Sequence, residues 1–515
     1  MELWNYIEIL RNKKQWFFSN DNSDVRLNAL TKILELGYPS IIPNLFPFLK
    51  DKNLEIRNAN CKVIIQLFKK IETKKGYYDI LKQCDISIND IDFYEKSFSK
   101  DEFLTILAIA SLNRSGYVRE KAVKKLTETN NERAIQFIIY RLADWVQTVR
   151  DRALIGVQNF KKAEYINSLI DNLPLFEWLQ KVERTNLSAI HADLMNFIVV
   201  QNKKYVVDNF TTFADKGRLI IAKQISITED VDLQDLKLLL QDKLFLIRDF
   251  ALTNFNKLTQ TEIDNLLKDK SAKVRLHTLH NLQNQENFSK IIYPFLADNS
   301  VSIREFARYT LKNEISDFPS IYNSNLLENI KIIGSLCGLG ETNGKQFIGT
   351  IEKYLMDRKS KVIKAAFLAL KKLDTDKTYN FAHKNLGCGY IGIRNLVIDF
   401  LSVSATPEVL QKARDFYKNG DIDLKKSMLK LFSKIGKYST IADLMLGTID
   451  ENENIRDLSV DYLSLWKINS ARYFMQPSNA DIERANQIFR YAFEMHEDKK
   501  YFNQNPLTGI DFYLR

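Results

Sequence analysis

The sequence predicts an all-α solenoid, a superhelix of stacked antiparallel helix pairs with a period of about 31 residues. Three observations predict it. One short motif recurs down the chain at nearly constant spacing, and apolar residues of helical period flank each copy. The 515 residues also include only 17 glycines and 9 prolines. That leaves too little turn chemistry for the many hairpins of a β protein, whereas helices joined by short loops need less.

The motif is Asp, four residues, Val or Ile, then Arg, usually with a small or apolar residue three further on. It is complete at Asp51/Ile56/Arg57, Asp144/Val149/Arg150, Asp242/Ile247/Arg248, Asp269/Val274/Arg275, Asp298/Ile303/Arg304 and Asp450/Ile455/Arg456. Chance would place such a string in a chain this long well under about once. Looser copies centre on Val25-Arg26, Val118-Arg119, Val362-Ile363, Ile393-Arg394 and Leu424-Lys425. From Arg26 to Arg456 the Arg positions or their substitutes are separated by 31, 62, 31, 98, 27, 29, 59, 31, 31 and 31 residues. The wide gaps are close to two, three and two periods. They hide degenerate copies near residues 85 to 95, near Arg184 and Arg218, and near Lys331.

Each repeat reads as two amphipathic helices around the Asp. In the best copy Glu132-Arg133-Ala134-Ile135 opens a first helix, with Ile135, Ile138, Ile139 and Leu142 on one face. Asp144 starts a short turn. Val149, Ala153 and Val157 then line the second helix every four residues, with Arg150, Asp151 and Arg152 on its wet side. The small residue three after the Arg lets neighbouring helices approach closely.

These repeats resemble the short bacterial type of HEAT repeat, the kind also found in phycobilisome-lyase-like proteins, over nearly the whole chain. Leu336-Cys337-Gly338-Leu339-Gly340-Glu341 also looks like that family's Leu-Gly-Asp turn between repeats, with Glu341 in the Asp position. The resemblance implies a right-handed superhelix of helix pairs. It implies no single function, because such solenoids serve as scaffolds, transport receptors, regulatory subunits and DNA-repair enzymes.

A 31-residue period divides residues 1–515 into roughly sixteen repeats of one solenoid, expected as a curved rod of order ~150 Å. No linker rich in Gly, Pro or Ser interrupts it. Terminal repeats must cover a face that internal repeats bury against a neighbour. Residues 1–20 therefore read as an N-terminal cap, with Trp4, Tyr6, Trp16, Phe17 and Phe18. Residues 470–515 read as an atypical aromatic-rich C-terminal cap and tail, with Tyr473, Phe474, Phe489, Tyr491, Phe493, Tyr501, Phe502, Phe512 and Tyr513 following Trp466. Tyr501 to Arg515, with Pro506 and Gly509, reads as the tail proper.

Residues 1–15, MELWNYIEILRNKKQ, carry Glu2 and Glu8 and no small-residue cleavage site, so no secretory signal is expected there. No apolar run nears the ~18 residues of a membrane span, so no membrane insertion is expected. A cytoplasmic protein is the expectation. Cys61, Cys84, Cys337 and Cys388 form no C-x-x-C pair and are too sparse for a disulfide framework, so buried free thiols are expected.

The repeated Asp and Arg are the most conspicuous charges, yet a residue type present once per repeat does not make one active site. A carboxylate in each turn and a guanidinium at each second-helix start are suited to a structural ladder of bidentate hydrogen bonds between adjacent repeats. His277 and His280 stand at i and i+3, but His191, His383 and His496 lie in distant repeats, so no metal site is expected. Residues 338–345, GLGETNGK, fail the phosphate-loop pattern, since Leu339 stands where Gly is needed and Gln346 follows Lys345. An inter-repeat turn accounts for these glycines. Trp145 after Asp144, and Trp178 before Glu183, match no motif of the HEAT-type DNA glycosylases. The reading is therefore a non-enzyme without cofactor.

Two partner classes remain. A net charge of +10 permits nucleic acid. Phosphate binding along a groove favours Lys or Arg at one exposed position in many repeats. The residue after each repeated Arg instead reads Leu27, Asn58, Glu120, Asp151, Asp249, Leu276, Glu305, Lys364, Asn395, Lys426 and Asp457, a mixed column with five acids. Local clusters remain at Lys121, Lys124, Lys125 and Arg152, a candidate binding patch, and at Lys361, Lys364, Lys371, Lys372, Lys425, Lys426 and Lys430. The sequence favours a protein-interaction scaffold gripping a partner segment on a concave face of second helices, with a nucleic-acid-binding solenoid as the alternative.

Overall fold

A computed structural model describes residues 2–11, 22–71, 75–470, 472 and 477–514. All regular elements among them are helices. The chain divides into two compact halves, Met1–Thr278 and Leu279–Arg515. Each is an all-α solenoid of successive helix pairs.

In the best-defined repeat the first helix is composite: a 3-10 turn Glu132–Ala134, an α-helix Ile135–Tyr140 and a 3-10 turn Arg141–Ala143. The second helix is Gln147–Phe160. Ile135, Ile138, Ile139, Leu142, Val149, Ala153 and Val157 are all buried, as their spacing requires. Second helices pack on second helices of the next repeat. In the N-terminal half Ser23–Leu36 meets Leu54–Lys69, and Gly116–Glu128 meets Gln147–Phe160. In the C-terminal half Ile391–Leu401, Ile422–Ile435 and Glu453–Ser470 stack in order.

The recurring Asp does one job in all six complete copies. Its Oδ1 accepts the backbone N–H two residues on, from Asn53, Val146, Leu244, Ser271, Ser300 or Asn452, at 2.7–3.0 Å. This closes the turn and aims the chain into the second helix. The recurring Arg sits six residues later and reaches back: Nη1 of Arg150, Arg248, Arg275, Arg304 and Arg456 donates to the carbonyl of its own Asp at 2.7–2.9 Å.

Carboxylate and guanidinium meet across repeats. Arg26 donates to Asp51 at 2.6 Å, and Arg119 grips both oxygens of Asp144 at 2.8 and 2.7 Å. Arg218 Nε lies 3.1 Å from Asp242, and Arg248 holds both oxygens of Asp269 at 2.6 and 2.7 Å. Lys425 replaces Arg and still reaches Asp450 at 2.8 Å. Arg304 finds Glu341. Where the next repeat is degenerate, other groups take over. The Arg150 Nη2 donates to Gln147, the Arg57 guanidinium lies 5.7 Å from the Phe93 ring centroid, and that of Arg456 lies 4.6 Å from Tyr501. The cross-repeat donors thus include Arg26, Arg119, Arg218 and Lys425, which belong to incomplete copies of the motif.

The glycine-rich segment around Gly338 is not a turn. Ile332–Glu341 is a second helix, and its glycines serve close packing. A Cβ on Gly338 would run into the ring of Tyr322, and one on Gly340 would lie 2.8 Å from the Ala369 Cα. Glu341 therefore acts from a helix end, where it holds Arg304 and also Arg308 at 2.9 Å. Cys61 and Cys84 are buried, whereas Cys337 and Cys388 are only half-buried, which departs from the expectation for four buried thiols. Burial pushes the Cys61 thiol up to about 12.

At the N-terminus Ile7 and Leu10 are buried while Trp4 is exposed. Trp16, Phe17 and Phe18 lie outside the described residues, as do Tyr473 and Phe474. The segment expected to be a C-terminal tail is docked: Leu507, Ile510 and Leu514 are buried, and Lys467 Nζ donates to the carbonyls of Pro506 and Thr508 at 3.0 and 3.1 Å. His496 is buried nearby, its Nε2 2.8 Å from the Thr448 hydroxyl.

Burial and the neighbouring Arg456 hold the His496 imidazole below its ordinary pKa. The folded chain then resists a proton that the unfolded chain takes up, so this contribution to stability is present above about pH 6.5 and is lost as pH falls. Burial alone would raise the carboxyl pKa values of Asp144, Asp269, Asp450 and Glu341, but their cationic and N–H partners outweigh it and hold them low. Their contribution is present above about pH 4 and is lost below it. Urea unfolding from pH 8 to 5 should show stability falling before the carboxylates titrate, and His496→Asn should remove that early slope.

Candidate interaction groove

In the first helix Ile135–Tyr140 the buried isoleucines leave Gln136 and Tyr140, four residues apart, on the opposite side. There they face the next first-helix segments, Ile166–Asp171 and Leu173–Leu179. Three adjoining cavities of the N-terminal half open along this line, of about 350, 450 and 220 Å³. The first two share Gln136, Asp171 and Asn172, and the last two share Tyr140 and Trp178. Together they form one groove.

Its middle is aromatic. Tyr78 meets Tyr140 edge-on at 5.3 Å, and Tyr140 lies parallel to Trp178 at 6.3 Å. At one end Phe68 packs on Phe137 at 6.0 Å. At the other, Trp145 is 77% exposed with the Arg184 guanidinium 3.9 Å from its ring centroid. The Arg141 guanidinium lies 4.4 Å from the Tyr140 centroid and donates to Asp144 at 2.8 Å. Apolar rings, two amides and a few charges suit a surface that binds by burial and is oriented by polar contacts. Sequence reasoning considered Trp145 and Trp178 singly and missed the groove. Tyr78 belongs to a degenerate stretch 62 residues before Tyr140. The legible signal was an outward Gln136–Tyr140 pair on a first helix.

The candidate patch on the second helices is occupied by the protein itself. Lys121 Nζ donates to Asp92 at 2.6 Å and to the Ile88 carbonyl at 3.1 Å. Lys125 reaches Glu95 at 2.8 Å, and Arg152 lies 3.4 Å from Glu120. Lys124 alone of the four is exposed and pairs with nothing among the described residues. The same lateral pairing recurs at Lys161–Asp193 and His277–Asp249. Of the acids in the column after the Arg, Glu120 and Asp249 thus serve as struts between successive second helices.

His277 binds Asp249 at 3.0 Å, whereas His280 packs on Phe306 at 4.4 Å between ring centroids. Among the described residues no group of three His, Cys, Asp or Glu is placed to hold a metal ion. No described helix is long and apolar enough to cross a membrane.

Fold and ladder define the class: an all-α solenoid of HEAT-like helix pairs. No protein-family model matches the sequence, and no curated protein sequence matches it. Solved structures do align. A chain of the structure described as Kap95p binding inducing the switch loops of RanGDP to adopt the GTP-bound conformation is 11% identical, with a TM-score of 0.29, over 99% of this chain and 65% of that one. A chain of the Kap95:Nup1 complex gives 11%, 0.30, 100% and 66%. A chain of a homology model of the full-length AP-3 complex gives 11%, 0.23, 95% and 97%. This chain therefore spans less than two thirds of the first two.

Proposed function

We propose that this chain is a non-catalytic, cytoplasmic interaction scaffold that holds an extended or helical segment of a partner protein, and that its repeats are of the short bacterial HEAT type. The observation that carries the reading is the aromatic groove of the N-terminal half, from Phe68 past Tyr78, Tyr140 and Trp178 to Trp145. Aromatic side chains bury large area at little entropic cost and dominate protein interfaces. Trp178 is 41% exposed and Trp145 far more so, so aromatic area along the groove is open to a partner. The sequence placed binding on the second helices; the groove lies between first helices, and the neutralised patch at Lys121 supports that choice.

Tyr140→Ala and Trp178→Ala should each weaken partner binding at least about tenfold, the usual cost of truncating a central aromatic anchor. Co-purification of the partner with each variant, beside a thermal melt, tests this. Undiminished recovery from a folded double variant would contradict the reading.

A further inference from the structure

The second basic cluster differs from the first. On the second helix Ser360–Leu373, Lys361, Lys364, Leu368 and Lys371 follow one another at steps of three or four residues and are all exposed, with Lys372 beside them. They form one stripe along ~15 Å of helix. Lys361, Lys364 and Lys372 have no ion-pair partner among the described residues, and Lys371 lies 5.6 Å from the Phe400 ring centroid.

The neighbouring second helices explain why. Elsewhere second-helix lysines such as Lys121, Lys125 and Lys434 are paired with an acid on an adjacent helix. Here the preceding helix, Ile332–Glu341, has glycines for close packing and a single acid, Glu341, already held by Arg304 and Arg308. The following helix, Ile391–Leu401, offers Asn395, taken by Lys430 at 2.7 Å, and Asp399, paired with Lys434 at 3.0 Å. The lattice of struts has a gap on this helix, and its lysines face solvent uncompensated.

The geometry points to a docking surface for an acidic protein segment, with carboxylates on either side of one apolar residue that covers Leu368, which is 40% exposed. Charge complementarity names an acidic partner, and the exposed Leu368 at the centre of the stripe favours a protein segment over nucleic acid. The four lysines and Leu368 lie along a single helix, a length that one short peptide segment covers. The apolar centre also has no role in phosphate binding. The proposal rests on the chain's being protein-binding, but it uses a different surface from the groove.

The test is fluorescence anisotropy on the full chain with three labelled probes of about equal length, about 14 residues or nucleotides: a peptide with glutamates flanking a leucine, its Glu→Gln counterpart, and oligothymidylate. The acidic peptide should bind, the glutamine peptide should bind at least about tenfold more weakly, and Lys361→Glu/Lys364→Glu should cost a similar factor that shrinks as salt rises. Lys361→Gln/Lys364→Gln serves if charge reversal disturbs folding, and Lys124→Glu should change nothing. Equal binding of the glutamine peptide, or indifference to both lysine pairs, overturns this inference alone. Oligothymidylate displacing the acidic peptide assigns the stripe to nucleic acid and overturns this inference, while failure of the scaffold reading is read separately from the groove variants.

Discussion

Asp144→Ala should destabilise the N-terminal half by about 3–5 kcal/mol. The carboxylate is nearly inaccessible and neutralises two buried cations, Arg119 and Arg141, while also accepting the Val146 N–H. Its removal leaves two guanidiniums in a low-dielectric site with a single carboxylate's worth of compensation gone. By contrast Arg150→Ala removes hydrogen bonds to the carbonyls of Asp144 and Trp145 and to Gln147, at a partly exposed site, and should cost about 1 kcal/mol. Urea unfolding of both variants checks the ranking. An Arg150→Ala loss equal to that of Asp144→Ala would mean that the bridge is misassigned.

Gly338→Ala should destabilise the C-terminal half by about 1–3 kcal/mol although alanine is the better helix former. The new methyl group would overlap the ring of Tyr322, which is fully buried and bonds Arg308 at 3.1 Å. The ring has nowhere to go. Gly349→Ala, also in a helix but with nothing near the added carbon, should be neutral or stabilising. Thermal melts of the two variants distinguish close packing from helix propensity, because propensity alone would raise both.

The fold was legible because a solenoid repeats its physics: Val149 is buried for the same reason as its counterparts Ile56, Ile247, Val274, Ile303 and Ile455 in the other complete copies. The ladder was legible as a set of residues but not as a wiring diagram. Asp and Arg of one copy are joined through a backbone carbonyl, whereas the carboxylate belongs to the preceding repeat's cation, often in an incomplete motif such as Arg26 or Lys425. The stretch around Gly338 was misread because glycine marks both turns and tight helix contacts, and only the position of Tyr322 separates the two. The groove was illegible for another reason. Tyr78 precedes Tyr140 by 62 residues and Trp178 follows it by 38, so no single spacing unites the three, and stacking brings them together.

Affinity purification of the tagged chain from its native cell, split into nuclease-treated and untreated halves, tests the central claim most directly. Protein partners recovered equally from both halves, and lost with Tyr140→Ala/Trp178→Ala, are the expected result. Partners that vanish on nuclease treatment and ignore the groove variant would contradict a protein-interaction scaffold and point to nucleic acid instead.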